Sequence, residues 1–96
     1  MSVITFTRGR VAPENVAELR SRHAALVRAA VNADMGLIDA HFGRVDDSVW
    51  GAVWRWESPA KLAAARGAAS VQELAASAFS LVEEPALDEI TIDDAN

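Results

Sequence analysis

The sequence predicts an α+β domain: a four-stranded antiparallel sheet in a split β-α-β arrangement, with its helices on one face. Three observations carry this. The elements run in the order strand, helix, strand, strand, helix, strand; the third strand is apolar on both sides; and 96 residues are too few for a second core. Right-handed crossovers then place both helical segments on the same side of the sheet.

The first strand covers Val3 to Arg8, where Ile4 and Phe6 alternate with Thr5 and Thr7, the period of a strand with one buried face. Pro13 suits a first helical turn, Glu14 favours the positive end of the helix dipole, and Val16, Leu19, Leu26, Val27, Ala30 and Val31 recur at helical spacing. A helix from about Pro13 to Asn32 follows, and Gly36 ends the connection after it. Leu37 to Arg44 and Val49 to Trp56 flank Asp46-Asp47-Ser48, which reads as a hairpin with turn chemistry in the middle. Ser58-Pro59 is an N-cap followed by a first-position proline, opening a short helix on Leu62, Ala65 and Ala69 that Gly67 interrupts. Ser70-Val71-Gln72-Glu73 has the spacing of a capping box, with Leu74, Ala75, Ala78, Leu81 and Val82 on one stripe until Pro85. Leu87 to Ile92 is the last strand, and the acidic residues 93–96 are expected to fray. Residues 1–96 are predicted to be one domain.

Composition excludes several functions. With 9 Lys and Arg against 14 Asp and Glu, for a formal charge of -5, the chain lacks the clustered cations that nucleic acid or an anionic membrane surface requires. No apolar run approaches the roughly 20 residues that span a bilayer, and Met1-Ser2-Val3-Ile4-Thr5 has no basic segment of the kind that opens a signal peptide. A cytoplasmic protein is expected. The lack of cysteine excludes disulfides, thiolate metal sites and cysteine nucleophiles. His23 and His41 are isolated, with no ligand spacing around them, and the 5 glycines form no phosphate cradle, so neither a metal nor a nucleotide cofactor is predicted.

Trp50, Ala52, Trp54 and Trp56 share one side of the third strand; Val49, Gly51 and Val53 share the other. Two helices cover only one sheet face, and a second copy of the chain is the economical cover for the other, so a homodimer through the open sheet face is expected. The three indoles line up along one strand at ~3.3 Å per residue, a wall suited to a flat aromatic ligand. Trp54 and Trp56 are assigned to a pocket between the first helix and the sheet, together with Phe6 and Phe79, and Trp50 to a rim or interface. The plainer alternative is that the indoles supply bulk to a core in which 20 of the hydrophobic residues are alanine.

His23 lies inside the apolar stripe of the first helix, four residues from both Leu19 and Val27. It is the candidate base or proton relay, able to take a phenolic or carbon-acid proton; the alternative is a core histidine satisfied by a backbone carbonyl or a water. Asp39, His41 and Arg55 are secondary polar candidates whose face depends on hairpin register. A three-residue loop, Asp46 to Ser48, sets Phe42 opposite Ala52 and Asp39 opposite Arg55, and brings Phe42, Ala40 and Ile38 onto the tryptophan face. A two-residue loop, Asp46-Asp47, moves His41 and Asp39 onto that face instead. The first register segregates apolar from polar side chains and is favoured.

The stretch Trp56-Glu57-Ser58-Pro59-Ala60-Lys61-Leu62, after a hairpin and a strand opened by Gly36, resembles the W-x-S-x-x-x-L signature of the antibiotic biosynthesis monooxygenase domain family, and the element order agrees over nearly the whole chain. The resemblance implies a ferredoxin-like fold assembled as a dimeric α+β barrel. It also implies an oxidoreductase of the cofactor-independent monooxygenase type, acting on an aromatic or polyketide-like molecule without metal or flavin. This chain departs from the family where an acidic residue and a histidine are common, holding Trp54 and Ala65 there. It has no Tyr, and it lacks the early Asn and the late His of the haem-degrading relatives, so only Trp56 carries over directly. A non-catalytic dimeric module binding an apolar small molecule is the second expectation.

Overall fold

Residues 1–93 are described by a computed structural model whose strands are β1 (Val3–Arg10), β2 (Leu37–Arg44), β3 (Val49–Trp56) and β4 (Glu83–Thr91), and whose helices are α1 (Val16–Asn32), α2 (Pro59–Gly67) and α3 (Ala69–Phe79). The strands form one antiparallel sheet in the order β2-β3-β1-β4, with the helices on one face. Of the acidic tail predicted at 93–96, all but Asp93 lies outside the described residues.

The hairpin register follows the three-residue loop: Phe42 pairs with Ala52, Asp39 with Arg55, and the amide of Val45 donates to the Val49 carbonyl at 2.8 Å. Ile38 departs from the expectation. Leu37 pairs with Trp56 while Asp39 pairs with Arg55, so Ile38 is the extra residue of a β-bulge. The bulge shifts the alternation by one, leaving Leu37 packed against the core and Ile38 exposed.

Strand β1 runs two residues beyond Arg8, because Gly9 and Arg10 still pair with Trp50 and Val49. Its faces are the reverse of the expected ones. Val3, Thr5 and Gly9 are buried on the helix side, while Ile4, Phe6 and Arg8 take the open side with Val53 and Gly51. Alternation identifies which residues share a face but not which face meets the helices when the sheet is apolar on both.

Helix α1 is preceded by a separate 3-10 turn, Pro13–Asn15, rather than starting at Pro13. It is tied to α3 by Arg22, whose Nη1 donates to the Ser77 carbonyl at 2.9 Å while its Nε donates to Glu18 at 2.9 Å. In α2 the Ser58 hydroxyl accepts from the Lys61 amide at 3.1 Å, a side-chain cap ahead of Pro59. The capping box at Ser70 does not form. Ala68 alone separates α2 from α3, so α3 starts at Ala69 and Ser70 falls inside its first turn.

The last strand starts at Glu83, four residues before the expected Leu87. Proline 85 is accommodated because Arg8 pairs with Ala86 and Arg10 with Glu83, leaving Glu84 and Pro85 in a bulge opposite Gly9. On an outer strand the missing N–H of proline leaves no ladder bond broken. Glu84 takes the left-handed conformation there, with φ of 53°.

The core has two parts. Val3, Ala30, Trp54, Trp56, Leu62 and Ala65 form one, and Val11, Leu19 and Ala78 the other. No helix among the described residues is long and apolar enough to cross a membrane.

Candidate functional site

Between the helix layer and the sheet lies a cavity of about 220 Å³. Its floor is the helix side of the sheet, Thr5 and Thr7 of β1 with Trp50, Ala52, Trp54 and Trp56 of β3; Leu19, His23 and Leu26 of α1 close one side. The other side comes from α2 and α3, through Leu62, Ala65, Arg66, Val71, Ala75 and Phe79. A cavity of about 150 Å³ accommodates benzene, so this one has room for two fused rings.

Small residues leave the space. Ala52, Ala65, Ala75 and Ala78 present only methyl groups to it, so the alanine-rich helices that make a thin core also make a hollow one. At one end Val82 packs directly on Gly9, where a β-carbon would collide with it.

Against this apolar wall sit a few polar groups. The Nε1–H of Trp54 donates to Nε2 of His23 at 2.9 Å, which assigns the imidazole proton to Nδ1. Phe42 lies 5.3 Å from the His23 ring, centroid to centroid, and burial lowers the His23 pKa below its ordinary 6.5. The imidazole is therefore neutral near pH 7, with its basic nitrogen already occupied.

Trp56 stacks on Trp54 with centroids 5.7 Å apart. It is only 4% exposed, and its buried Nε1–H has no hydrogen-bond partner. An unpaired indole N–H in such a place costs about 1–3 kcal/mol. Trp50 stands apart at the rim, stacked on Phe42 at 5.4 Å, with the Arg20 guanidinium 5.9 Å from each ring.

The structure brings His23, Trp54, Trp56 and Phe79 together on the cavity wall. Phe6 is a correction: opposite Val53 in register, it faces away from the cavity, and Thr5 and Thr7 take the place expected for it. Asp39, His41 and Arg55 likewise lie on the open face, with His41 Nε2 4.0 Å from Asp39 Oδ1 and both side chains well exposed, so they do not join His23. Missed from the sequence were Thr5, Thr7 and the α2–α3 wall apart from Phe79, including Arg66. The stripe of Leu62, Ala65, Ala75 and Ala78 signalled a buried face, but nothing in it distinguishes a filled core from a cavity. Among the described residues, no three His, Cys, Asp or Glu side chains group as metal ligands.

No family model matches the sequence, and no curated protein matches it. Solved structures do match over nearly the whole chain. SnoaB, a cofactor-independent oxygenase from Streptomyces nogalater, is 20% identical with a TM-score of 0.78, the match covering 98% of this chain and 95% of that one. A candidate antibiotic biosynthesis monooxygenase from Caulobacter crescentus is 16% identical with a TM-score of 0.80, covering 97% and 91%. A dimeric ferredoxin-like protein of unknown function from Jannaschia sp. CCS1 is 11% identical with a TM-score of 0.78, covering 96% and 100%. At these identities the likeness establishes the fold: the chain has the ferredoxin-like α+β architecture of these proteins.

Proposed function

We propose that this chain is a homodimeric, cytoplasmic, cofactor-independent monooxygenase-like enzyme whose substrate is an electron-rich aromatic of about two fused rings, held in the cavity against Trp54 and Trp56. The observation that carries the reading is the cavity itself, apolar and walled by the indoles of Trp50, Trp54 and Trp56. The fold shared with SnoaB supports the same direction.

In this reading the protein supplies orientation, a dry site and help in ionising the substrate, whose carbanion or phenolate then passes an electron to O₂. His23 acts as a base only through Nε2, so a substrate hydroxyl must first replace the Trp54 N–H as the donor to that nitrogen; the proton can then transfer along the new hydrogen bond. Dimerisation is proposed through the open sheet face, where Ile4, Phe6, Val53 and Ile90 present apolar side chains, with Val53 and Ile90 exposed in the single chain.

The occupied Nε2 of His23 favours a second reading, a binding module without chemistry. Oxygen uptake decides between them. With naphthols and hydroxynaphthoquinone precursors, O₂ consumption that falls at least tenfold in His23→Ala supports the enzyme; a ligand-induced rise in melting temperature with no O₂ consumed supports the binding module.

A further inference from the structure

The cavity opens on one side, and the geometry there selects a charge. Strand β4 is exposed along its whole length, including Leu87 and Glu89 on its helix side. Leu87 and Phe79 both line the cavity yet are 54% and 40% exposed, which places the mouth between β4 and the α2–α3 layer. Arg66, in the last turn of α2, crosses this opening: its Nη1 lies 3.0 Å from Oε1 of Glu89, the β4 residue paired with Thr5 of the cavity floor.

From this we propose that Arg66 is the anion-recognising residue of the cavity and that the ligand is an aromatic carboxylate, its rings between the indoles and its carboxylate on Arg66 in place of Glu89. The proposal rests on the reading of the cavity as a ligand site. It goes beyond that reading in naming the ligand's charge and the residue that selects it.

Three features argue for it. Glu89 and Arg66 are both about half exposed, so their ion pair is screened by water and weak enough to exchange. An entering carboxylate offers the guanidinium the same planar, two-oxygen partner, and burial of its rings supplies the advantage over Glu89.

Next, the wall is one-sided in charge. Among the described residues no carboxylate lines the cavity; its ionisable residues are His23, Arg8 and Arg66. The Arg8 guanidinium lies over the Phe6 ring, 5.6 Å from its centroid, on the far face of the sheet, and His23 is neutral. Arg66 is therefore the cation of the cavity wall among the described residues, while Arg20 stands at the rim over Trp50 and Phe42.

Last, Arg66 is held where the mouth is. The Gln72 side-chain amide donates to the Arg66 carbonyl at 2.9 Å and fixes the end of α2 against α3. A basic residue in a final helical turn also complements the helix dipole, but that accounts for its position along α2 and not for its reach across to β4.

Two isosteric probes test the idea: naphthalene-2-carboxylate and naphthalene-2-carboxamide, titrated calorimetrically at pH 7.5 into the wild type, Arg66→Gln and Glu89→Gln, each checked for a native circular dichroism spectrum. The expected result is carboxylate binding at least tenfold tighter than carboxamide in the wild type. Arg66→Gln should abolish that preference without weakening the carboxamide, and Glu89→Gln, which removes the competitor, should tighten the carboxylate several-fold. Equal binding of the two probes by the wild type, or a preference that survives Arg66→Gln, overturns the role of Arg66 and leaves the cavity reading standing. Binding of neither probe overturns the cavity reading and this inference with it.

Discussion

The indole N–H of Trp54 donates to Nε2 of His23 across 2.9 Å, joining the middle of β3 to the middle of α1. The bond requires a neutral acceptor, because an imidazolium has no lone pair to offer. Burial acts in the same direction by disfavouring the charged ring. Packing of the helix layer on the sheet is thereby coupled to the protonation state of one side chain.

That coupling predicts a pH-dependent stability. The unfolded chain's imidazole takes up its proton near pH 6.5 and the folded chain's at lower pH. The contribution of His23 is thus fully present above about pH 6.5 and is lost as the pH falls from there through the folded pKa. Urea midpoints between pH 7.5 and 5.5 should decline in the wild type and stay flatter in His23→Gln, whose amide oxygen still accepts from Trp54. Parallel curves for the two proteins would refute it.

Trp54→Phe keeps an aromatic ring and removes the donor. The loss of the hydrogen bond and of part of the ring should cost about 1–3 kcal/mol, and the His23 pKa should rise toward 6.5, since a bond that favoured the neutral ring is gone. Titration of the imidazole carbon-bound protons by NMR reads the pKa directly. A value unchanged from wild type would mean that desolvation alone sets it.

How far these groups were legible in the sequence depended on what kind of signal each one left. Strands β2 and β3 were readable to the residue because turn residues bracket them and the tryptophans alternate. His23 was readable as a residue facing the sheet, since helical spacing fixes its side; that its lone pair is taken by Trp54 is a tertiary fact with no local trace. Phe6 was assigned to the wrong face for a physical reason. Ile4 and Phe6 look like core beside Thr5 and Thr7, yet the threonines line the cavity and the larger side chains go to the open side. The bulges at Ile38 and at Glu84–Pro85 were invisible because each depends on a partner strand. Arg66 stood in an alanine-rich helix with no motif around it, and only its reach across to Glu89 gives it meaning.

Gly9→Ala should be disproportionately harmful for one added methyl group. Its β-carbon would overlap the Val82 side chain and sit 3.1 Å from the Glu83 carbonyl oxygen. Val82 leads into β4 and Glu83 is its first residue, next to the Glu84–Pro85 bulge that lies opposite Gly9. Overpacking of this kind costs about 1–3 kcal/mol, and each kcal/mol lowers the melting temperature by roughly 4–8 °C in a domain of this size. Thermal denaturation is the measurement, with Gly43→Ala as the control, since a β-carbon there meets nothing within 4 Å.

Val53→Asp addresses the open face. Val53 sits in the middle of β3 between Phe6 of β1 and His41 of β2, beside the shallow hollow at Gly43 and Gly51. In an isolated chain a carboxylate there points into water and leaves the core untouched, so the single domain should still fold. Across a two-fold interface the same substitution buries a charge against apolar groups of the second copy, at a cost of several kcal/mol unless a partner neutralises it. Sedimentation at micromolar concentration should therefore move from dimer in the wild type to monomer in Val53→Asp, and the wild-type melting temperature should rise with concentration while the variant's does not. If Val53→Asp remains a dimer, the two copies do not meet through this face, and the apolar side chains of Ile4, Phe6 and Ile90 must face a different partner.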